Sequence, residues 1–169
     1  VGQKKIGEQK SRGVLAQRHK VRLAFFEELL SRLSGPAKKL FSNRSASKDH
    51  WLSGATGMSG VNHNFHFLQD KIRYELYIGR PNADENKVIY DRLLDVKSDI
   101  ETRYKDDFVW ARLDDLIASR IYCEFDIDSY NSENWDEAIV WLDDHMNRAL
   151  AVIQPYLDEI KATKSYISK

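Results

Sequence analysis

Residues 61–78, VNHNFHFLQDKIRYELYI, alternate apolar and polar side chains twice, once on each side of Gln69-Asp70. A period of two over such lengths fits β-strands with one buried face and fits no helix. With Gln69-Asp70 as a two-residue turn, Phe67 opposes Ile72, Phe65 opposes Tyr74, His63 opposes Leu76 and Val61 opposes Ile78. The same register sets His66 against Arg73, Asn64 against Glu75 and Asn62 against Tyr77. A one-residue slip would turn every side chain to the other face, so a pairing that sorts both strands at once is strongly specified. His63 thereby belongs with the core. Gln-Asp is not a favoured two-residue turn, and a longer loop is the alternative.

The remaining segments arrange themselves around this hairpin. Residues 1–13, polar with three glycines, read as a tail or linker ahead of one domain spanning 14–169. From Leu15 to Leu33, apolar residues recur at three- and four-residue spacings, which predicts a helix stopped by Ser34-Gly35-Pro36. A short strand around Trp51 and a Gly/Ser-rich connection lead into the hairpin. After it, Asn82 and Glu85 form a capping box for a helix running to about Tyr104. FVWARL and SRIYCEF read as two further strands, and a last helix runs from about Glu133 to Thr163. The order α-β-β-β-α-β-β-α predicts an α+β fold, a mostly antiparallel five-stranded sheet packed with three helices.

Three amphipathic helices on one sheet face leave the other open, and the polar set then forms a surface. The hairpin contributes Asn64, His66, Arg73, Glu75 and Tyr77, and the later strands Trp110, Arg112, Arg120 and Tyr122. These types suit recognition: arginine for phosphate or carboxylate, an exposed indole for stacking on a base, and amide and carboxylate for directional hydrogen bonds. Each has a plainer reading. Arg73 and Glu75 could pair across strands, Trp110 could fill the core, and Arg112 could bind Asp114 or Asp115. Helices on both faces would bury the set altogether.

Signatures of catalysis are missing at this level, and no catalytic residue is assigned. SGATGMSG (residues 53–60) has neither the Lys-Ser/Thr ending of a phosphate-binding loop nor dinucleotide spacing. His50, His63 and His66 have no cysteine or acidic partner at a recognised ligand spacing, so no metal or cofactor is expected. Glu85-Asn86-Lys87 matches half of a restriction-type nuclease motif only superficially, since Glu85 caps a helix. Cys123, the only cysteine, alternates with core residues; it reads as packing and points to a reducing, cytoplasmic setting. No apolar run is long enough for a membrane helix. The first residue is Val1, which leads to the expectation of a fragment of a longer protein.

Zero net charge hides an asymmetry: residues 1–48 carry +9 and residues 49–169 carry −9. A basic N-terminal segment of this kind can meet nucleic acid, or lie on its own acidic body.

The ordered series WLSGATGMSGVNHNFHFLQDKIRYELYIGR, ENKVIYDRLLDVKSDIE, VWARLDDLIASRI and ENWDEAIVWLDDHMNRAL resembles a bacterial domain of unknown function (family 4268), over about Phe25–Pro155. The resemblance implies a C-terminal module that accompanies a restriction-endonuclease-like nuclease domain in DNA-processing or defence proteins. It supplies no catalytic residue. The expectation is therefore a non-catalytic accessory module that contacts nucleic acid or a partner protein through the polar sheet face and the basic segment. A dimerisation module and a small-molecule or modified-base sensor stand as alternatives; the oligomeric state is left open.

Overall fold

The computed structural model describes residues 2–167, with side chains from residue 5. Five strands form one antiparallel sheet: β1 (Trp51–Ala55), β2 (Val61–Phe67), β3 (Lys71–Ile78), β4 (Val109–Ala111) and β5 (Ser119–Asp126), in the order β1-β2-β3-β5-β4. The hairpin pairs residue for residue as its alternation predicts, from Val61↔Ile78 to Phe67↔Ile72. Leu68 donates its N–H to the Lys71 carbonyl at 2.9 Å, closing the turn around Gln69-Asp70.

Among the described residues, six α-helices stand where three were expected. α1 (Gly2–Arg32) starts well before Leu15, so the segment read as a tail or linker is helical, and residues 5–18 are exposed along it. α2 (Gly35–Leu40) follows at once, because Gly35 (φ 56°) turns the chain and Pro36 restarts it in helical geometry. The expected helix over 82–104 divides into α3 (Ala83–Leu94) and α4 (Lys97–Tyr104), where Val96 leaves helical geometry (φ −112°, ψ 20°). The last helix divides into α5 (Trp135–Val152) and α6 (Gln154–Thr163), since Pro155 has no N–H to continue the ladder. The capping box holds: Asn82 Oδ1 accepts from the Glu85 N–H at 3.1 Å. No helix among the described residues is long and apolar enough to cross a membrane.

The helices crowd onto one face of the sheet. Phe25 of α1 stacks on Phe67 at 4.0 Å, and Trp141 of α5 stacks on Phe125 at 5.9 Å. Gln154 of α6 meets His63, while Tyr104 of α4 reaches Tyr74 through Phe108. α2 approaches β1 so closely that a Cβ on Gly54 would lie 2.7 Å from the Phe41 ring. His63, fully buried, donates Nε2–H to Gln154 Oε1 and accepts from the Tyr74 hydroxyl, both at 2.8 Å. This tautomer follows from Gln154, whose Nε2 already donates to the Thr56 carbonyl. Desolvation drives the His63 pKa from 6.5 down to about 4.

Candidate functional site on the polar sheet face

Opposite the core, the register aligns Trp51, His66, Arg73 and Glu124 in one row across the sheet. A second row holds Ser53, Asn64, Glu75, Tyr122 and Val109, and a third Ala55, Asn62, Tyr77, Arg120 and Ala111. No hydrogen bond or ion pair from a helix reaches these rows among the described residues; their polar contacts stay within the face. Yet the centre is buried. Glu75 is 1% exposed, Asn64 6% and His66 8%, against 40% for Trp51 at the rim. The long side chains of the face bury one another without a covering helix.

Glu75 is the hub. Its Oε2 accepts from His66 Nε2 at 3.0 Å and its Oε1 from Arg73 Nη1 at 2.9 Å, with Arg120 Nη1 3.7 Å away. Burial pushes its pKa up, but the His66 hydrogen bond and charge, then Arg120 and Arg73, outweigh burial and hold it below the ordinary carboxylate value. Arg73 also lies 3.3 Å from Glu124 and packs its guanidinium 3.9 Å over the Tyr122 ring. Arg120 sits 5.5 Å over the Tyr77 ring. The expected cross-strand pairing of Arg73 and Glu75 is therefore present, inside a wider network.

That network does not satisfy itself. Asn64 Oδ1, Arg73 Nε and Arg120 Nε are buried with no hydrogen-bond partner. Glu124 Oε2 lies within ion-pair range of Arg73 and Lys71 but is not aligned for a hydrogen bond. Above the face opens a cavity of about 420 Å³, whose floor holds Asn64, His66, Glu75 and Arg120 and whose walls include His50, Trp51 and Tyr77. Its size falls among small-ligand sites, which run from about 300 to 1,000 Å³. Four roomier hollows, of about 460 to 850 Å³, the largest of them along α5, contain none of the unpaired buried atoms. His50 is held neutral-leaning: desolvation lowers its pKa first, and His66, Arg22 and Arg73 lower it further.

Of the nine residues read from sequence, Asn64, His66, Arg73, Glu75, Tyr77, Arg120 and Tyr122 share this face. Two do not belong to it. Trp110 pairs with Ile121 and so faces the core, where its Nε1 donates to Glu101 Oε2 at 3.3 Å and its ring meets Tyr90 and Phe108. Arg112 lies past the end of β4 and is held by Asp91 through two bonds of 2.9 Å, and by Asp114. His50, Trp51 and Ser53, not singled out from sequence, line the cavity. The signal for Trp51 and Ser53 lies in their alternation with Leu52 and Gly54. Glu85 and Lys87 are committed elsewhere: Glu85 to Arg80, and Lys87 Nζ to three carbonyls of residues 112–118 and to Ser119 Oγ.

Fold and site together define an α+β domain with a one-sided helical layer and a self-buried polar sheet face. Residues 21–157 match the Domain of unknown function (DUF4268), and the chain belongs to that family. The match takes in all five strands and leaves out most of the projecting half of α1. No curated protein and no solved structure matches the chain.

Proposed function

We propose that the chain is a recognition module for single-stranded nucleic acid, reading a base in the polar-face cavity and holding the backbone with its basic N-terminal region. The observation that carries this reading is Asn64: a 94%-buried amide whose Oδ1 has no partner and which lines the cavity floor. A buried unpaired acceptor costs about 1–3 kcal/mol, which a donor from a ligand or an ordered water would recover. Trp51 and Tyr77 offer aromatic surface for a splayed base, and Arg120 offers a planar donor beside them. The face itself carries nearly balanced charge, so phosphate neutralisation falls to other residues. Lys5, Lys10, Arg12, Arg18 and Lys20 are exposed on α1 over residues 5–20, where Glu8 is the single acid. Phosphate contacts position a strand while base contacts specify it, which matches this division of labour.

The cavity's small size also favours a second reading, a sensor of one small ligand such as a modified base. Partnership with a nuclease-like domain in a defence-associated protein is part of the proposal and rests on the family resemblance. The test is fluorescence anisotropy with labelled single-stranded oligonucleotides across a salt series. Binding is expected to weaken steeply with salt, and to weaken further with a shallower slope when residues 1–20 are removed. Absent or salt-insensitive binding overturns the nucleic-acid reading. A free nucleoside that binds without salt dependence favours the sensor.

A further inference from the structure

On the core side of the sheet, opposite the polar face, three potential metal ligands converge from three parts of the chain. Cys123 comes from β5, His145 from α5 and Asp106 from the turn after α4, and their ligand atoms all lie within 4.8 Å of one another. Cys123 Sγ is 3.6 Å from Asp106 Oδ2 and 3.8 Å from His145 Nδ1. Both separations are within the ordinary range for hydrogen bonds to sulfur, so the thiol already sits in contact with both partners. Tetrahedral zinc with a Zn–S bond of about 2.3 Å and Zn–N or Zn–O bonds of about 2.0 Å sets its ligand atoms about 3.3–3.6 Å apart; the two distances from Cys123 Sγ, 3.6 and 3.8 Å, are at or just beyond that range.

We propose that Asp106, Cys123 and His145 form a binding site for a zinc-class divalent cation, with the fourth position taken by water or the Tyr104 hydroxyl. The donor set is the sulfur, imidazole and carboxylate that a borderline-soft metal selects. The imidazole plane is held by Trp141, stacked at 3.8 Å between ring centres. Tyr104 Oη lies 2.6 Å from His145 Nδ1, so metal entry opens that contact by under about 1 Å and leaves the phenol beside the ion. Lys105 adopts left-handed backbone geometry (φ 66°) at the end of α4, and the chain turns there to bring the Asp106 carboxylate to Cys123. Cys123 and His145 are buried while Asp106 is exposed, so the carboxylate stands at the mouth, beside an open hollow lined by Glu101, Thr102 and Asp107. Nearby Arg148 is paired with Asp144 at 2.6 Å, which offsets its repulsion of a cation.

A plain nucleophilic Cys–His pair fits less well. His145 Nδ1 has the Tyr104 hydroxyl as its nearer partner, at 2.6 Å against 3.8 Å for Cys123 Sγ. When a metal binds, the S–H bond breaks, the sulfur lone pair goes to the cation, and the proton leaves to solvent. Such an ion would tie the α4–β4 turn, β5 and α5 together, and it rests on nothing in the polar-face reading.

The test is titration of chelator-treated protein with Co²⁺, followed by absorption. The proposal predicts one cobalt per chain and a sulfur-to-cobalt charge-transfer band. Cys123→Ser loses the band, and Asp106→Asn, a change at an exposed residue that leaves the core intact, weakens binding by about tenfold or more. Zn²⁺ in excess should displace the cobalt and raise the melting temperature of the wild type. No charge-transfer band in the wild type overturns the site, as does a band that survives Cys123→Ser or an affinity unchanged in Asp106→Asn. Should Cys123→Ser fail to fold, the wild-type band and the Asp106→Asn affinity still decide.

Discussion

Acidification should destabilise this protein through His63 before its carboxylates begin to titrate. The imidazole is fully buried between Tyr74 and Gln154, and desolvation takes its pKa from 6.5 to about 4. With the folded value depressed, the unfolded chain takes up a proton below pH 6.5 that the folded chain refuses until about pH 4. Stability is therefore full above the unfolded value and falls across that window. At about 1.4 kcal/mol per unit the full loss is about 3 kcal/mol, of which about 2 kcal/mol is gone by pH 5. Glu75 and the other carboxylates with depressed pKa values lose their contribution only below their ordinary range, so pH 5 isolates the histidines. His50 and His145 are also lowered, and subtraction removes their share. Urea denaturation at pH 7.5 and pH 5 of the wild type and of His63→Gln, which keeps hydrogen-bonding capacity without titrating, gives the double difference. The wild type should lose about 2 kcal/mol more than the variant. Equal losses would refute the burial of His63, and with it the hairpin register that sends Asn62, Asn64 and His66 to the other face.

Glu75→Gln removes the anion that Arg73, His66 and Arg120 share at a 1%-exposed position, and should cost about 2 kcal/mol in chemical denaturation. Arg73 keeps Glu124 as a partner, which holds the loss below that of an isolated buried pair; a change under about 0.5 kcal/mol would mean that solvent screens the cluster. Gly54→Ala drives a Cβ to within 2.7 Å of the Phe41 ring and should cost about 1–2 kcal/mol by overpacking, read as a lowered urea midpoint. A neutral result would show that α2 can move off β1 freely.

How much of this was legible in sequence depends on the range of the signal. The hairpin register could be read in full because alternation with one buried face has only one solution that keeps Phe65, Phe67, Ile72 and Tyr74 together. Three helical stretches were equally plain, but α2, the N-terminal part of α1 and the breaks were not: the apolar stripe continues through Val96 and Ile153 because the helices on both sides of each break face the same core. Pro155 carried a usable signal for the second break. Trp110 was misplaced because a three-residue strand gives too little alternation to choose a face until its pairing with Ile121 is known. His50 and Trp51 join the site only through the β1–β2 pairing, and Asp106, Cys123 and His145 only through tertiary packing. No local spacing connects either set.

The most direct test of a recognition face lies at Asn64. If its unpaired Oδ1 awaits a ligand, Asn64→Leu removes a buried, unsatisfied acceptor while keeping the branched shape, and the larger methyl groups have the adjoining cavity to enter. Stability by urea denaturation should then rise by about 1 kcal/mol while oligonucleotide affinity, measured by anisotropy on the same samples, falls by about tenfold or more. Lower stability with unchanged affinity would make Asn64 a structural residue and contradict the account.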